Sequence, residues 1–302
     1  MNISPAIETV SSSSAVIVWA LGTPNHFLGS LRDSSAVIVG PWFVPAVIFV
    51  FGLLVGSFLN VCIWRLPAEE QVVKGRSHCR DCGQLIAWYD NVPLVSFILL
   101  GGRCRRCKAK ISWVYPAVEL ATGLVFLLVL SRFGLTARGV VCGILMAGLI
   151  VLTVIDVKEM ILPDEITLPG LALGLFLSFA VPSLHGVIGR WEGLLNGFWG
   201  VLAGGGFLWL IGTVGSWVFK KEAMGGGDVK MMAMVGALIG WQKVLLVNLI
   251  LAPMVGSVIG VVLKYRFGRD LIPYGPFLSL GTIVAVFWGD PIIRWYLGFI
   301  GI

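Results

Sequence analysis

Charge is what this chain has least of. Only 13% of its 302 residues are Asp, Glu, Lys or Arg, against roughly 25% in an average soluble domain. With 57% hydrophobic residues and a mean hydropathy of +0.93, a freely soluble fold is excluded. Basic residues outnumber acidic ones by a formal charge of +6. In so apolar a chain this reads as loop topology, and no nucleic-acid partner is expected. Residues 1–41 lack the Lys/Arg-rich start of a cleaved signal peptide. With the serine run Ser11–Ser14 they read as a poorly ordered N-terminal extension. There is no internal repeat. Nor is there a glycine-rich nucleotide loop in a βαβ setting, so these residues locate no cofactor site.

Long apolar runs are present instead. Windows at 42–64, 116–131, 139–157, 166–182, 194–219, 228–241, 244–263 and 276–290 suit membrane-spanning helices, and the tail 291–302 either extends the last helix or lies at the interface. The expected fold is an all-α polytopic membrane protein of about eight transmembrane helices. Many of the 39 glycines fall inside these runs, where they permit close helix packing. Residues 42–64 form the first span, 65–115 a small polar insert and 116–302 the remaining membrane domain. The insert holds nine Lys/Arg against four Asp/Glu. Placing it in the cytoplasm puts 16 of the 22 basic residues inside, which favours both termini outside.

Cys79-Arg-Asp-Cys82 and Cys104-Arg-Arg-Cys107 are separated by 21 residues. This C-x2-C…C-x2-C spacing reads as a tetrathiolate zinc site. The alternatives are two disulfides or four free thiols, and a cytoplasmic position disfavours disulfides. Four protein ligands close the site, so the zinc is structural. Gly83 suits a knuckle turn of positive φ. His78 reads as a group beside the cluster or a solvated surface residue. Cys62 and Cys142 read as small buried hydrophobes.

Asp156 closes one apolar run, and Asp228 follows Met224 and three glycines. Alternating topology puts both at the cytoplasmic membrane face. A carboxylate beside hydrocarbon is costly and usually functional. Two that meet can share a proton and activate water, as in aspartic proteases. Gly225, Gly226 and Gly227 are read as a substrate access loop, where missing side chains let an extended backbone approach. Lys230 and the helix start favour Asp228 as the ionised base. The bland readings are an interfacial charge for Asp156 and a helix-start acid for Asp228. Asp164, in the loop after Pro163, is the alternative partner of Asp228.

Several motifs in order resemble the bacterial prepilin peptidases, the type IV leader peptidases. They are GSFLNVCIWRLP (56–67), the cysteine cluster with WYDN (88–91) and Pro93 between its halves, and Tyr115, Pro116 and Glu119. Asp156 through Leu162-Pro163-Asp164, MGGGDVK (224–230) and IPYGPF (272–277) complete the set. The resemblance covers residues 45–300. It implies an integral-membrane aspartic endopeptidase of the GxGD class, in the bacterial inner membrane, with the insert and active site cytoplasmic. It implies cleavage of the basic leader of type IV prepilins or type II secretion pseudopilins after a glycine, with Asp156 and Asp228 as the catalytic pair. It further implies N-methylation of the new N-terminus with S-adenosylmethionine. Arg80 departs from the proline common in relatives.

Rival readings are a peptidase without methyltransferase activity, a methyltransferase with structural acids, a transporter or ion pathway using intramembrane acids, and a non-enzymatic assembly factor. The sequence is silent on oligomeric state and on which pilin is the substrate.

Overall fold

A computed structural model describes residues 42–73, 75–221, 224–267 and 273–300. The expected extension 1–41 and Ile272 of the IPYGPF motif lie outside them. The chain divides at Val47/Ile48 into two compact units. Of the first, only residues 42–47, the start of the first helix, are described, and everything below concerns the second.

Among the described residues the regular structure is helical. α1 is Phe43–Arg65. The insert carries a 3-10 turn at Trp88–Asn91 and the short α2, Val95–Leu99. α3 is Val114–Phe133, α4 Ala137–Glu159 and α5 Asp164–Ala180. α6 runs Arg190–Val201, widens to a π turn at Leu202–Gly206 and continues Phe207–Phe219. α7 is Gly226–Ile239. α8 runs Trp241–Leu246, a π turn at Val247–Leu251, then Ala252–Phe267. α9, Gly275–Ile300, absorbs the apolar tail and carries Pro291 within it.

Every expected apolar run is therefore helical, but among the described residues six helices are long and apolar enough to cross a membrane. The two others are α5, with 17 residues, and α7, with 14. At 1.5 Å per residue α7 is about 21 Å long, short of the ~30 Å hydrocarbon core. It is instead the buried centre of the bundle. Met231, Met232, Val235 and Ala237 have no exposed surface, as expected of a helix apolar all round.

Small residues let α6 close on α7. A Cβ on Gly200 would collide with the Gly236 backbone, and one on Gly236 with that of Gly200. Elsewhere large apolar side chains face outward, among them Phe51, Leu54 and Phe58 on α1 and Trp209, Leu210 and Trp217 on α6. In a bilayer these are the lipid-facing surface. A second core cluster, Leu59, Ile63, Val118, Val151 and Ile155, binds the ends of α1, α3 and α4 together. It holds the residues just before Asp156 and supports the insert.

Candidate active site and metal centre

Thr136 starts α4 by accepting the Gly139 N–H at 3.1 Å. The helix ends where Met160 turns left-handed (φ 54°) and returns its N–H to the Asp156 carbonyl. Asp156 thus sits in the last turn, only 6% exposed. Its Oδ2 accepts the backbone N–H of Gly275, the first residue of α9, at 2.9 Å. A Cβ on Gly275 would stand 2.7 Å from that same oxygen, so glycine is what lets the amide reach the acid. Gly275→Ala is expected to displace the carboxylate and cut turnover about 100-fold, the scale of an ångström-level misplacement. Steady-state kinetics on a folded variant measure it.

Asp228 lies in the first turn of α7, half-buried, close enough to Asp156 for the two carboxylates to interact electrostatically. Two links hold the start of α7 against the α4–α5 corner. Gly227 packs on Leu162, where a Cβ would come within 2.9 Å of the leucine. The Lys230 ammonium donates to both oxygens of Asp164 at 2.7 and 2.8 Å. Asp164 is therefore engaged with Lys230, and the cation expected to support Asp228 is spent on another acid.

The three glycines before Asp228 are not one loop. Gly225 alone is extended (φ −68°, ψ 134°), and α7 begins at Gly226. Gly225 and Gly226 are exposed and Gly227 half-buried. A Cβ on Gly225 would lie 3.3 Å from Asp228 Oδ2, and one on Gly226 would meet nothing. The opening beside the acid is thus at Gly225–Gly226, while Gly227 is a packing residue.

Tyr274 was given no role by sequence reasoning, although it lies in the IPYGPF motif. It is half-buried next to Gly275 and interacts electrostatically with Asp228. Burial, then the Asp228 charge, push its phenol above the ordinary value, which keeps its O–H available as a donor.

The four insert cysteines converge. Their Sγ atoms all lie within 4.8 Å of one another. Cys79 and Cys107 are 3.8 Å apart, far beyond the ~2.05 Å of a disulfide. Each pair is carried by a matching knuckle. Gly83 (φ 68°) returns its N–H to the Cys79 carbonyl, and Lys108 (φ 61°) does the same for Cys104. Backbone N–H groups of Cys107, then Arg106, lower the Cys104 thiol to about 7. Cys107 beside it is pushed the opposite way, to about 12, so the fit to a soft divalent ion such as zinc rests on the tetrahedral-sized grouping of the four sulfurs. His78 is exposed, Cys142 buried and Cys62 half-buried.

The insert is tied to the bundle and to itself by polar contacts. Glu119 of α3 accepts the Leu94 N–H at 2.9 Å, and Asn60 of α1 donates to the Tyr115 carbonyl at 3.0 Å. The Arg105 guanidinium grips Asp90 at 2.6 Å and holds that carboxyl below its ordinary range.

Comparisons with known proteins follow the same division. The Bacterial Peptidase A24 N-terminal domain matches residues 50–133, which hold the insert. The Type IV leader peptidase family matches residues 143–262, which hold both acids. A prepilin leader peptidase/N-methyltransferase of Stutzerimonas stutzeri is 38% identical over 308 residues, covering 92% of this chain and 99% of that protein. One from Pseudomonas aeruginosa is 37% identical, covering 83% and 93%. One from Myxococcus xanthus is 41% identical over 230 residues, covering 76% of this chain and 66% of that protein. No solved structure matches the chain. Acids at two helix ends, a tetracysteine insert and relatives 37% and 38% identical over more than nine-tenths of their length identify the chain as a member of the type IV leader peptidase family.

Proposed function

We propose that this protein is an inner-membrane aspartic endopeptidase. It removes the basic leader from type IV prepilins or type II secretion pseudopilins at the cytoplasmic face, then N-methylates the new terminus. The observation that carries the reading is the approach of Asp156 and Asp228, from two helix ends, within the region shared with the peptidase family. The relatives' names supply the substrate class and the second activity.

Asp156 is assigned as base. Its Oδ2 already accepts an N–H, which suits the ionised, acceptor-only carboxylate, and its other oxygen is left to take a proton from water. Asp228, its lysine engaged by Asp164, is the protonated partner. It donates to the scissile carbonyl as hydroxide adds; as the C–N bond breaks, the proton taken by Asp156 goes to the leaving amine and one hydroxyl of the gem-diol returns its proton to Asp228. This reverses the assignment expected from Lys230 in the sequence. The exposed backbone at Gly225–Gly226 admits the substrate strand beside Asp228, and Tyr274 offers an O–H to the same space.

S-adenosylmethionine supplies an electrophilic methyl group for the freed amine. A groove of about 1200 Å³ between α2 and the start of α3 is the site assigned to it. Phe97 and Trp113, whose rings meet at 4.8 Å, offer aromatic faces for adenine. Arg103 and Lys110, exposed on the rim, offer cations for the carboxylate. Trp113→Ala is expected to weaken cofactor binding about tenfold, the scale of one aromatic stack, while cleavage persists. Calorimetric titration and a cleavage assay check the two halves separately.

Mass spectrometry of a co-expressed prepilin tests the whole reading. A shortened, methylated N-terminus is expected. A substrate keeping its leader beside well-folded, abundant protein rules the reading out.

A further inference from the structure

Three side chains meet where the metal knuckle touches the membrane domain. The Arg80 guanidinium, between Cys79 and Cys82, stands 3.5 Å from the centre of the Trp64 ring at the end of α1. The Lys158 ammonium, two residues beyond Asp156 on α4, stands 3.2 Å from that ring. Tyr115, at the start of α3, stacks alongside at 5.9 Å and 21° and accepts a contact from Arg80. The Lys158 Nζ is buried without a hydrogen-bond partner among the described residues. A buried ammonium in that state is costly, and the indole face is the compensation at hand. Arg80 and Lys158 repel each other, and Glu159 attracts Lys158. The indole is what both cations share.

We infer that Trp64, Arg80 and Lys158 form a cation–π latch through which the cysteine knuckle positions the end of α4 that carries Asp156. Residues i and i+2 on a helix do not face each other. Lys158 therefore grips the side of α4 turned away from Asp156 and braces the last turn from behind. Ile63, beside Trp64, packs with Ile155, beside Asp156, in one core cluster, so the brace rests on a packed floor. The knuckle contributes Arg80 only while its turn is closed, and this is how metal occupancy reaches the acid. These are positioning residues, since none touches the reacting atoms. The activity half of the inference rests on the peptidase reading, but the docking half does not.

The first measurement needs no activity. Zinc-loaded protein is mixed with excess chromogenic chelator and metal loss is followed by absorbance. Coupling is reciprocal, so a latch that lets the knuckle act on α4 also lets the membrane domain hold the knuckle. Arg80→Gln is expected to speed zinc loss about fivefold, the low end of typical coupling. Trp64→Leu does the same, the double variant is no faster than either single, and Arg80→Lys keeps the wild-type rate. An unchanged rate in Arg80→Gln, or a double variant equal to the product of the singles, overturns the latch. Because Arg80 is exposed, Arg80→Gln keeps the test valid even where Trp64→Leu fails to fold.

The second measurement is prepilin cleavage. Arg80→Gln is expected to lower kcat about fivefold with KM unchanged, the pattern of a lost transition-state geometry, and Arg80→Lys restores it. An unchanged kcat with faster zinc loss overturns the positioning role. Wild-type protein that cleaves no prepilin overturns the peptidase reading, and the zinc measurement then still decides whether the latch docks the knuckle.

Discussion

Asp156→Asn and Asp228→Asn are each expected to lower prepilin cleavage by about 10²–10⁴-fold, the range that general acid–base groups supply, while the protein stays folded. Asparagine keeps the shape and an acceptor oxygen, so residue 156 still receives the Gly275 N–H. What it loses is the ability to take a proton from water or to pass one on. The loss falls in kcat, because an acid–base group acts in the transition state rather than in substrate binding. Asp164→Asn is the informative control. Its ion pair with Lys230 leaves the two side chains 50% and 43% exposed. An exposed pair contributes roughly 0–1 kcal/mol, so this variant loses no more than about fivefold. Cleavage near wild type by purified Asp156→Asn would sink the catalytic assignment. A collapse in Asp164→Asn to the level of Asp228→Asn would move the role to Asp164.

Withholding zinc from the proposed cysteine site is expected to unfold the insert and leave the bundle standing. Residues 65–115 contain one helix of five residues and one 3-10 turn, too little core for independent stability. Structural zinc contributes about 10–16 kcal/mol in small zinc modules, more than a single ion pair such as Asp90–Arg105 can replace. The main core cluster of the bundle draws none of its residues from the insert, so the loss stays local. The check is limited proteolysis with and without a zinc chelator, with cut sites read by mass spectrometry. Rapid new cuts within 65–115, beside intact fragments of the membrane helices, are expected. The Cys79→Ser and Cys104→Ser variants reproduce the pattern without chelator. A digestion pattern indifferent to chelator and to both serines rules out a structural metal.

The sequence alone determined what depends on local spacing and composition. Each of the eight apolar runs falls on a helix of the described residues, because a membrane helix must satisfy its own backbone whatever surrounds it. Two C-x2-C pairs announced the cluster of four cysteines, because bringing four thiols together needs only short turns and a chain able to fold back. Asp156 and Asp228 stood out because acids at the ends of apolar runs are costly.

Tertiary structure alone decided how those parts meet. The shortness of the 228–241 run is the one local sign that α7 is not a further span, and it does not say which helices bury it. Its burial follows from glycines on α6 that close on Gly236. Nor does Lys230 reveal from its position beside Asp228 that it belongs to Asp164, 66 residues away. The Gly275 amide reaches Asp156 across 119 residues, and Arg80 of the knuckle meets Lys158 of α4 on the Trp64 indole of α1. These contacts join segments far apart in the chain, and a single sequence carries no local signal for them. The acids themselves were legible. Which cation, which amide and which brace each one has is set by packing.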